Sequence, residues 1–224
     1  MSDDKLILYH SPRTRSSATL TLLEELDVSY ELRVLNFQLG EQRKPEYLAV
    51  NPLGKAPAIV HNGALVTELG AIFIYLADAF PQKGLAPPIG DALRGPYLRW
   101  LAFYGSAFEP AIMDRSMGRE PAPASRSPYG DFDGVMALIN AQLARGPYLF
   151  GERFTAADIL WGMALRWTVG FGLVPETQQI GAYVARVTQR PCFARVAQTD
   201  EELLKIHEAA AKATEQVIPG GPKA

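Results

Sequence analysis

The sequence predicts two unlike domains, an α/β domain followed by an all-helical one. In the first part of the chain, short apolar runs alternate with helical patterns in the order β-α-β and then β-β-α. Four prolines and three glycines interrupt the apolar periodicity between 81 and 96, and only helical patterns recur beyond them. We therefore expect an α/β domain over 5–80, a linker over 81–92, an all-helical domain over 93–212 and a disordered tail over 213–224.

The α/β domain begins with a predicted strand–helix–strand unit. Leu6–Tyr9 is an apolar run that ends at the turn residues His10-Ser-Pro12, which is typical of a buried strand. Apolar residues recur at helical spacing from Ser16 to Leu26, and residues 30–34 alternate as a strand does. Because a helix separates them, the two strands are expected to be parallel.

A hairpin and a second helix are expected to complete this domain. Ala56–Val60 and Ala64–Val66 flank His61-Asn-Gly63, and Asn-Gly is the strongest short-range signal for a hairpin turn. A helical pattern then runs from Leu69 to Ala79.

The second domain is expected to contain helices joined by loops. A long loop is predicted over 113–130, and Thr155-Ala-Ala-Asp158 fits a capping box, which we assign to folding rather than catalysis. The predicted helices cover 96–111, 132–144, 156–169, 179–189 and 193–211.

Composition and charge exclude several classes of function. With 22 Lys and Arg against 24 Asp and Glu, the chain has no basic run that would bind nucleic acid. Cys192 is the single cysteine, so an intrachain disulfide and a Cys-x-x-Cys site are both excluded, and this thiol is expected to be buried and inert. The three histidines lack ligand spacing, so we expect hydrogen-bonded or surface side chains and no metal.

The same sequence shows no signal for membrane insertion or export. No apolar stretch reaches the ~18 residues of a bilayer-spanning helix, and the acidic N-terminus does not fit a secretion signal. A cytoplasmic protein without a membrane partner is therefore expected.

Three segments carry the residues of chemical interest, and each leads into a predicted element. Tyr9–Ser17 opens the first helix, Asn51–Ile59 enters the hairpin, and Val66–Ile72 opens the next helix. In this order and spacing they make the chain resemble the soluble glutathione transferases, with a bacterial character, over residues 5 to 200. Supporting matches are Leu22–Leu26, Ile74–Asp78, Phe154–Ile159 and Arg190–Phe193.

That resemblance implies a thioredoxin-like N-terminal domain that binds glutathione as co-substrate, a helical domain with an apolar pocket, and a homodimer. The implied reaction is attack by the glutathione thiolate on an electrophilic apolar or aromatic compound, which yields a thioether and serves detoxification. The alternatives are a glutathione-dependent isomerase, dehalogenase or ether-cleaving enzyme, or a non-catalytic binding or regulatory protein.

The resemblance assigns one part of the glutathione site to the residues before the hairpin. Pro57 is expected in the cis form, so that the backbone of Ala56 can bind glutathione as a short antiparallel strand. Lys55 is expected either to reach the glycyl carboxylate or to remain solvated.

The other part of the glutathione site is assigned to the start of the next helix. Glu68 is expected to meet the γ-glutamyl ammonium, and the helix N-terminus to bind the neighbouring carboxylate. Alternatively, Thr67 and Glu68 only cap this helix. Leu69 replaces the serine of most relatives, and losing that hydrogen bond to a charged group costs roughly 1.5–3 kcal/mol.

The reaction needs a group that stabilises the thiolate. A free thiol has a pKa near ~8.5, so a hydroxyl or a positive charge at the opening of the first helix is required. Ser16 is the first candidate for this catalytic role, Thr14 and Ser11 are rivals, and the Arg15 guanidinium can lie near the sulfur. Alternatively, Ser16 or Ser17 only caps the helix.

Large side chains of the helical domain are candidates for the second-substrate pocket, although aromatic and methionine residues at helical spacing also build cores. These candidates are Tyr104, Phe108, Met113, Met117, Trp167 and Phe171.

Overall fold

The computed structural model describes residues 5–120 and 122–217, with the side chains of the last helix described up to Thr214. Within this part of the chain the strands form one sheet in the order β2-β1-β3-β4. Strands β1 and β2 are parallel and the other neighbours are antiparallel, as the strand–helix–strand and hairpin predictions require. The strands are β1 Leu6–His10, β2 Glu31–Val34, β3 Ala58–His61 and β4 Ala64–Val66.

Three helices accompany the sheet and six follow it in the described chain, which confirms the predicted fold class of an α/β domain plus an all-helical domain. The helices of the first domain are α1 Ser16–Leu26, α2 Pro45–Leu48 and α3 Leu69–Ala79. Those of the second are α4 Arg94–Phe103, α5 Glu109–Ser116, α6 Phe132–Leu143, α7 Ala156–Gly170, α8 Gln178–Thr188 and α9 Pro191–Val217.

Both faces of β1 are buried, and its side chains alternate between two cores. Leu6 and Leu8 belong to the large core that includes α1, α3 and the helical domain. Ile7 and Tyr9 face the other way and pack with Tyr47 of α2. The continuous apolar run therefore reflects a strand covered on both sides.

The local signals of the first domain are confirmed at residue level. Helices α1 and α3 have the predicted limits, and the hairpin turns at Asn62 and Gly63, which both have a positive φ, at 51° and 80°. Strand β3 starts two residues later than predicted, after the Ala56–Pro57 bond. The four-residue helix α2 was not predicted, because so short a segment has no readable period.

The region after α4 differs from the prediction. A π-helical turn over Tyr104–Phe108 joins α4 to α5, and α5 continues to Ser116, so the loop predicted from residue 113 begins later. Pro110 explains the wider turn, because its nitrogen cannot donate the hydrogen bond of a regular helix.

Helix α9 returns to the first domain. It packs along α1, and the side-chain amide of Asn36 donates to the carbonyl of His207 at 3.2 Å. The helix ends at Val217, so it includes the first residues of the predicted tail, while residues 218–224 lie outside the described chain. None of the described helices combines the length and apolar character needed to cross a bilayer.

Candidate active site

The candidate site lies where β1 ends and β3 begins. Tyr9 is opposite Ala58 in the antiparallel pair, so the residues after β1 and those before β3 lie at the same end of the sheet. The Ala56–Pro57 peptide bond is cis, as predicted. Neither the N–H nor the C=O of Ala56 is hydrogen-bonded to any residue of the described chain.

The carbonyl of Lys55, the residue before Ala56, is held by two buried side chains. It accepts hydrogen bonds from the Tyr47 hydroxyl at 2.6 Å and from the Asn51 side chain at 2.9 Å. The Lys55 side chain is exposed and makes no ion pair within the described chain. The turn before the cis bond is therefore fixed, while the Lys55 charge stays available to an anion.

The start of α3 has no side-chain cap. Glu68 occupies the N-cap position with φ 65°, a left-handed value that is strained for a residue with a Cβ, and its side chain makes no capping hydrogen bond. The Thr67 hydroxyl also forms no hydrogen bond within the described chain. The alternative role of these two residues as caps is therefore not observed, and the positive end of the helix is left for an anion.

Ser16 does not reach the surface of the site. Its side chain is fully buried, and its Oγ lies 3.0 Å from the Ser11 N–H that donates to it, 2.9 Å from His10 Nδ1 and 2.7 Å from Thr14 Oγ1. The prediction that Ser16 is the first thiol donor does not fit this position, because the hydroxyl is enclosed by protein groups. Ser11 is also buried.

Thr14 remains half-buried beside the open cavity. Its Oγ1 donates to the Ser11 carbonyl at 2.8 Å, and the same carbonyl also accepts from Ser16 at 3.0 Å. The backbone N–H groups of Thr14 and Arg15 have no partner in the described chain. The Thr14 hydroxyl can therefore turn to a ligand without leaving the Ser11 carbonyl unpaired.

Arg15 is engaged in a bidentate ion pair with the second domain. Its Nε lies 2.8 Å from Glu109 Oε2 and its Nη2 lies 2.7 Å from the same oxygen, while the guanidinium lies 5.6 Å from the centre of the Trp167 ring. Burial alone would lower the pKa of Arg15, but the Glu109 carboxylate raises it. Tyr104 also donates to Glu109, and burial followed by this carboxylate raises the pKa of Tyr104 well above its usual value.

Two cavities meet at this ion pair. The larger has a volume of about 480 Å³ and is bounded by the opening of α1, by Leu69, and by side chains of α7 and α9. The smaller, of about 210 Å³, lies between α5 and α7. Arg15, Tyr104, Trp167 and Phe171 line both.

Five of the six predicted pocket residues line one or both of these cavities, and the sixth does not. Phe108 and Met113 line the smaller cavity beside the shared residues Tyr104, Trp167 and Phe171. Met117 lines neither of these cavities: it follows the end of α5 and is 56% exposed.

Comparison with known proteins identifies the family. The model of the glutathione S-transferase N-terminal domain matches residues 4–78, and that of the glutathione S-transferase C-terminal domain matches residues 129–177. A glutathione S-transferase-like protein, gedE of Aspergillus terreus, is 31% identical over 70% of this chain and 74% of its own length. The chain belongs to the glutathione transferase family.

Further relatives show the range of this family. Glutathione S-transferase GstA of Escherichia coli O157:H7 is 28% identical over 82% of this chain and 93% of its own length. The disulfide-bond oxidoreductase YfcG of E. coli K12 is 28% identical over 88% and 94% of the two chains. A sphingomonad glutathione S-transferase solved with glutathione has a TM-score of 0.71 and 28% identity, covering 87% of this chain and 98% of that one.

A buried contact beside the candidate site, between His10 and Asp200, was not predicted from the sequence. His10 is fully buried, and its Nε2 lies 2.9 Å from Oδ1 of Asp200 in α9. Asp200 Oδ2 also accepts from the Ser17 hydroxyl at 2.6 Å and from the Arg13 N–H at 3.0 Å. Burial would raise the pKa of Asp200, but the hydrogen bonds from His10 and Ser17 lower it below its usual value.

No sequence signal could have linked His10 with Asp200. They are 190 positions apart, and Asp200 lies in a helix with many other charged residues. The expectation that the histidines are surface or hydrogen-bonded side chains holds for His10. The Ser17 hydroxyl binds α9 and does not cap α1.

Proposed function

We propose that this protein is a glutathione transferase that joins the sulfur of glutathione to an electrophilic carbon of an apolar or aromatic compound. A C–S bond forms, a leaving group departs with its electron pair, and the thiol proton passes to solvent. The observation that carries the proposal is the unpaired Ala56 backbone, at the same end of the sheet as the α1 opening and the adjoining apolar cavity. In this proposal residues 5–80 bind glutathione, 93–212 bind the electrophile, and 81–92 link them.

The glutathione backbone would add to the sheet at Ala56, whose N–H and C=O have no other partner. The Lys55 ammonium would bind the glycyl carboxylate. The γ-glutamyl carboxylate would lie at the uncapped start of α3, and the exposed Glu68 carboxylate would bind the neighbouring ammonium.

The sulfur would then lie at the opening of α1. Of the four candidates, Thr14 is favoured as the thiol donor because its hydroxyl is partly exposed and can leave the Ser11 carbonyl without an unpaired acceptor. The free N–H groups of Thr14 and Arg15 and the dipole of α1 would add to the stabilisation of the thiolate.

Titration calorimetry with glutathione, followed by turnover of a chlorodinitrobenzene electrophile, tests this function. Thr14→Val is expected to retain glutathione binding within about twofold and to lose roughly tenfold or more in kcat, since a positioned donor contributes on the order of 1.4 kcal/mol or more. Thr14→Ser keeps the hydroxyl and serves as the control. Wild-type protein that neither binds glutathione nor forms a thioether would refute the proposal.

The Leu69 position provides a second test of the glutathione site. Leu69→Ser restores a hydroxyl at the first residue of α3 and should lower the Kd of glutathione by roughly tenfold, in line with a hydrogen bond to a charged group. Leu69→Ala removes the same side chain without adding a hydroxyl. Equal affinities of these two variants would contradict the assigned carboxylate position.

A second candidate is glutathione-dependent disulfide reduction, favoured by the similarity to YfcG over nearly its whole length. Two glutathione molecules would be oxidised to their disulfide while one substrate disulfide gains two electrons and two protons. Turnover of hydroxyethyl disulfide without thioether formation would favour this candidate over conjugation. An isomerase, dehalogenase or ether-cleaving enzyme would use the same glutathione site with another electrophile.

The family relationship also supports a homodimer, and a reduced thiol co-substrate fits a cytoplasmic protein engaged in detoxification. Sedimentation should give twice the 24.5 kDa mass of one chain. Leu53 and Leu65 are 64% and 48% exposed and are candidates for the contact between the two copies.

A further inference from the structure

Two arginines at the larger cavity have no partner for their charge. Arg13 lies in the turn between β1 and α1, Arg166 lies in α7, and both line this cavity. Both are exposed, and neither guanidinium forms an ion pair, a hydrogen bond or a ring contact within the described chain. Most other arginines there bind a carboxylate or lie over an aromatic ring. Arg13 and Arg166 therefore leave positive charge available at the cavity.

Arg166 belongs to the side of α7 that borders the cavity. Met163 and Gly170, three residues before it and four after it, line the same cavity, and such spacings place residues on one side of a helix. Trp167 follows directly, and its ring forms an edge-to-face pair with that of Phe171, with 5.3 Å between the ring centres. The charge of Arg166 thus adjoins an aromatic wall.

The backbone of Arg13 is held in a strained conformation. Its φ is 54°, a left-handed value that costs free energy in a residue with a Cβ and that glycine adopts readily. The Arg13 N–H donates to Asp200 Oδ2 at 3.0 Å, so a side chain of α9 holds this turn. An arginine at a position that would suit glycine indicates a use for its side chain.

The acidic side chains that line the larger cavity, in contrast, have partners. Asp200 Oδ1 lies 2.9 Å from His10 Nε2, and Oδ2 accepts from the Ser17 hydroxyl at 2.6 Å. The Glu201 carboxylate lies 3.0 Å from the Lys205 ammonium. The cavity therefore combines apolar walls with unpaired positive charge, which suits an apolar molecule that carries one anionic group.

We propose that the electrophile is an aromatic compound with a carboxylate, which Arg166 binds while the ring packs against Trp167. Arg13 adds positive charge from the first domain. This proposal rests on the proposed function and narrows its substrate class. The glutathione sulfur forms a C–S bond, a leaving group departs with its electron pair, and the carboxylate takes no part in the bond changes. A guanidinium suits this role because its fork of N–H donors matches the two oxygens of a carboxylate.

Glutathione is the alternative partner of these arginines, because it carries two carboxylates of its own. The groups assigned to it, at Lys55, Ala56 and the start of α3, all belong to the first domain, whereas Arg166 belongs to the helical domain. Leu69, at the start of α3, also lines the larger cavity, so the two ligands would be neighbours. Glutathione affinity is therefore measured together with turnover.

A chlorodinitrobenzoate and its uncharged amide test the proposal, since in both compounds glutathione displaces chloride from the same ring carbon. Each kcat/KM is divided by the rate constant of that compound with free glutathione thiolate, which removes the difference in intrinsic reactivity. For wild-type protein we expect the corrected value to be about fivefold larger for the benzoate, the effect of an ion pair at an exposed site. This benzoate-to-amide ratio should fall as salt is added.

Substitutions show which residues produce the ratio. Arg166→Gln should lower it by about fivefold, mainly through KM, and Arg166→Lys, which keeps the charge without the fork, should lower it less. Arg13→Gly should also lower the ratio, and because it relieves the left-handed strain, failure to fold would not explain that loss. Arg145→Gln removes an exposed arginine that has no partner in the described chain and lines neither cavity, so the ratio should stay unchanged.

Three results would overturn the inference. They are a wild-type ratio of about one, a ratio that Arg166→Gln leaves at the wild-type value, and turnover of the amide alone. A higher Kd of glutathione in Arg166→Gln, with the ratio unchanged, would show that this arginine serves glutathione instead. Wild-type protein that binds no glutathione and converts neither compound would refute the proposed function itself.

Discussion

At the scale of single residues, the candidate site is decided by which polar groups still have a hydrogen bond to offer. Ser16 is fully surrounded, whereas Thr14 shares its acceptor with a neighbour and can turn away from it. Arg15 carries a charge at the cavity, but Glu109 neutralises it. At the opening of α1, the type of a residue therefore does not show whether it can act on the thiol. The hydrogen-bond partners of each polar group indicate this better.

Substitutions of the two members of the Arg15–Glu109 pair should shift the pKa of bound glutathione in opposite directions. Arg15→Ala leaves the Glu109 carboxylate unpaired beside the cavity, so we expect a higher pKa of bound glutathione and a roughly tenfold lower kcat/KM. Glu109→Gln leaves the guanidinium unpaired and should lower the thiol pKa. Thiolate absorbance against pH measures the pKa in both variants. Shifts of the same sign would contradict the position of the sulfur beside this ion pair.

Cys192 is predicted to be unreactive in the folded protein. Burial raises the pKa of this thiol to about 12, and the Glu25 carboxylate, which accepts its S–H at 3.1 Å, adds to the effect. At a pH of about 8 only roughly one thiol in ten thousand would be ionised. Alkylation by iodoacetamide should therefore be negligible until denaturant unfolds the chain. Rapid labelling of the native protein would contradict the burial of α9 against α1.

At the scale of elements, the start of α7 shows how a local sequence motif is realised. Thr155 and Asp158 form the predicted capping box, and Asp158 also accepts from the Leu149 N–H at 2.8 Å and from the Tyr183 hydroxyl at 3.1 Å. One carboxylate thus joins the helix start to a preceding loop and to α8. Burial raises the pKa of Asp158 to about 6 in spite of these donors.

This raised pKa predicts a particular pH dependence for the Asp158→Asn variant. At a pH between the ordinary pKa of 3.8 and the raised pKa of about 6, Asp158 is ionised in the unfolded chain but still protonated in the folded protein. The stability contributed by Asp158 is therefore largest at low pH and decreases as pH rises. The variant should lose roughly 1 kcal/mol more of the unfolding free energy at pH about 5 than at pH about 7, relative to wild type.

Urea unfolding at the two pH values measures this difference. Asp131→Asn, at the exposed N-cap of α6, is the matched control for loss of a helix-cap carboxylate. If Asp158→Asn loses no more unfolding free energy at pH about 5 than at pH about 7, the Asp158 carboxylate is ionised throughout this range.

Elements with local signals were predictable, and those that depend on distant partners were not. The Asn62-Gly63 turn, the helical spacing of α1 and the Thr155 capping box each act within a few residues, so their prediction was accurate. The π turn before Pro110 depends on which hydrogen bond the proline cannot make. The contact of His10 with Asp200 joins opposite ends of the chain, and the sequence contains no local trace of it.

At the scale of the whole molecule, the two domains share one core. Phe73 of α3 and Trp161 of α7 are fully buried in the same cluster. Gly70 lets α3 approach α4 closely, since a Cβ there would lie 3.0 Å from the Leu101 carbonyl oxygen. Arg195 of α9, and Arg190 just before this helix, add ion pairs to α1 from the far end of the chain. The cavity between the domains is therefore bounded by elements that stabilise one another.

A shared core predicts that both domains unfold in a single transition. Tryptophan fluorescence reports only on the helical domain, because Trp100, Trp161 and Trp167 all lie there, whereas hydrogen exchange of β1 and β3 reports on the sheet. Since neither domain can open without exposing the apolar surface of the other, both signals should have the same urea midpoint. Gly70→Ala should lower both midpoints together, with a loss of about 1–3 kcal/mol in the free energy of unfolding, the usual cost of overpacking. A lower midpoint for the sheet alone, at every protein concentration, would mean that the α/β domain opens independently and that the shared core is not the main source of stability.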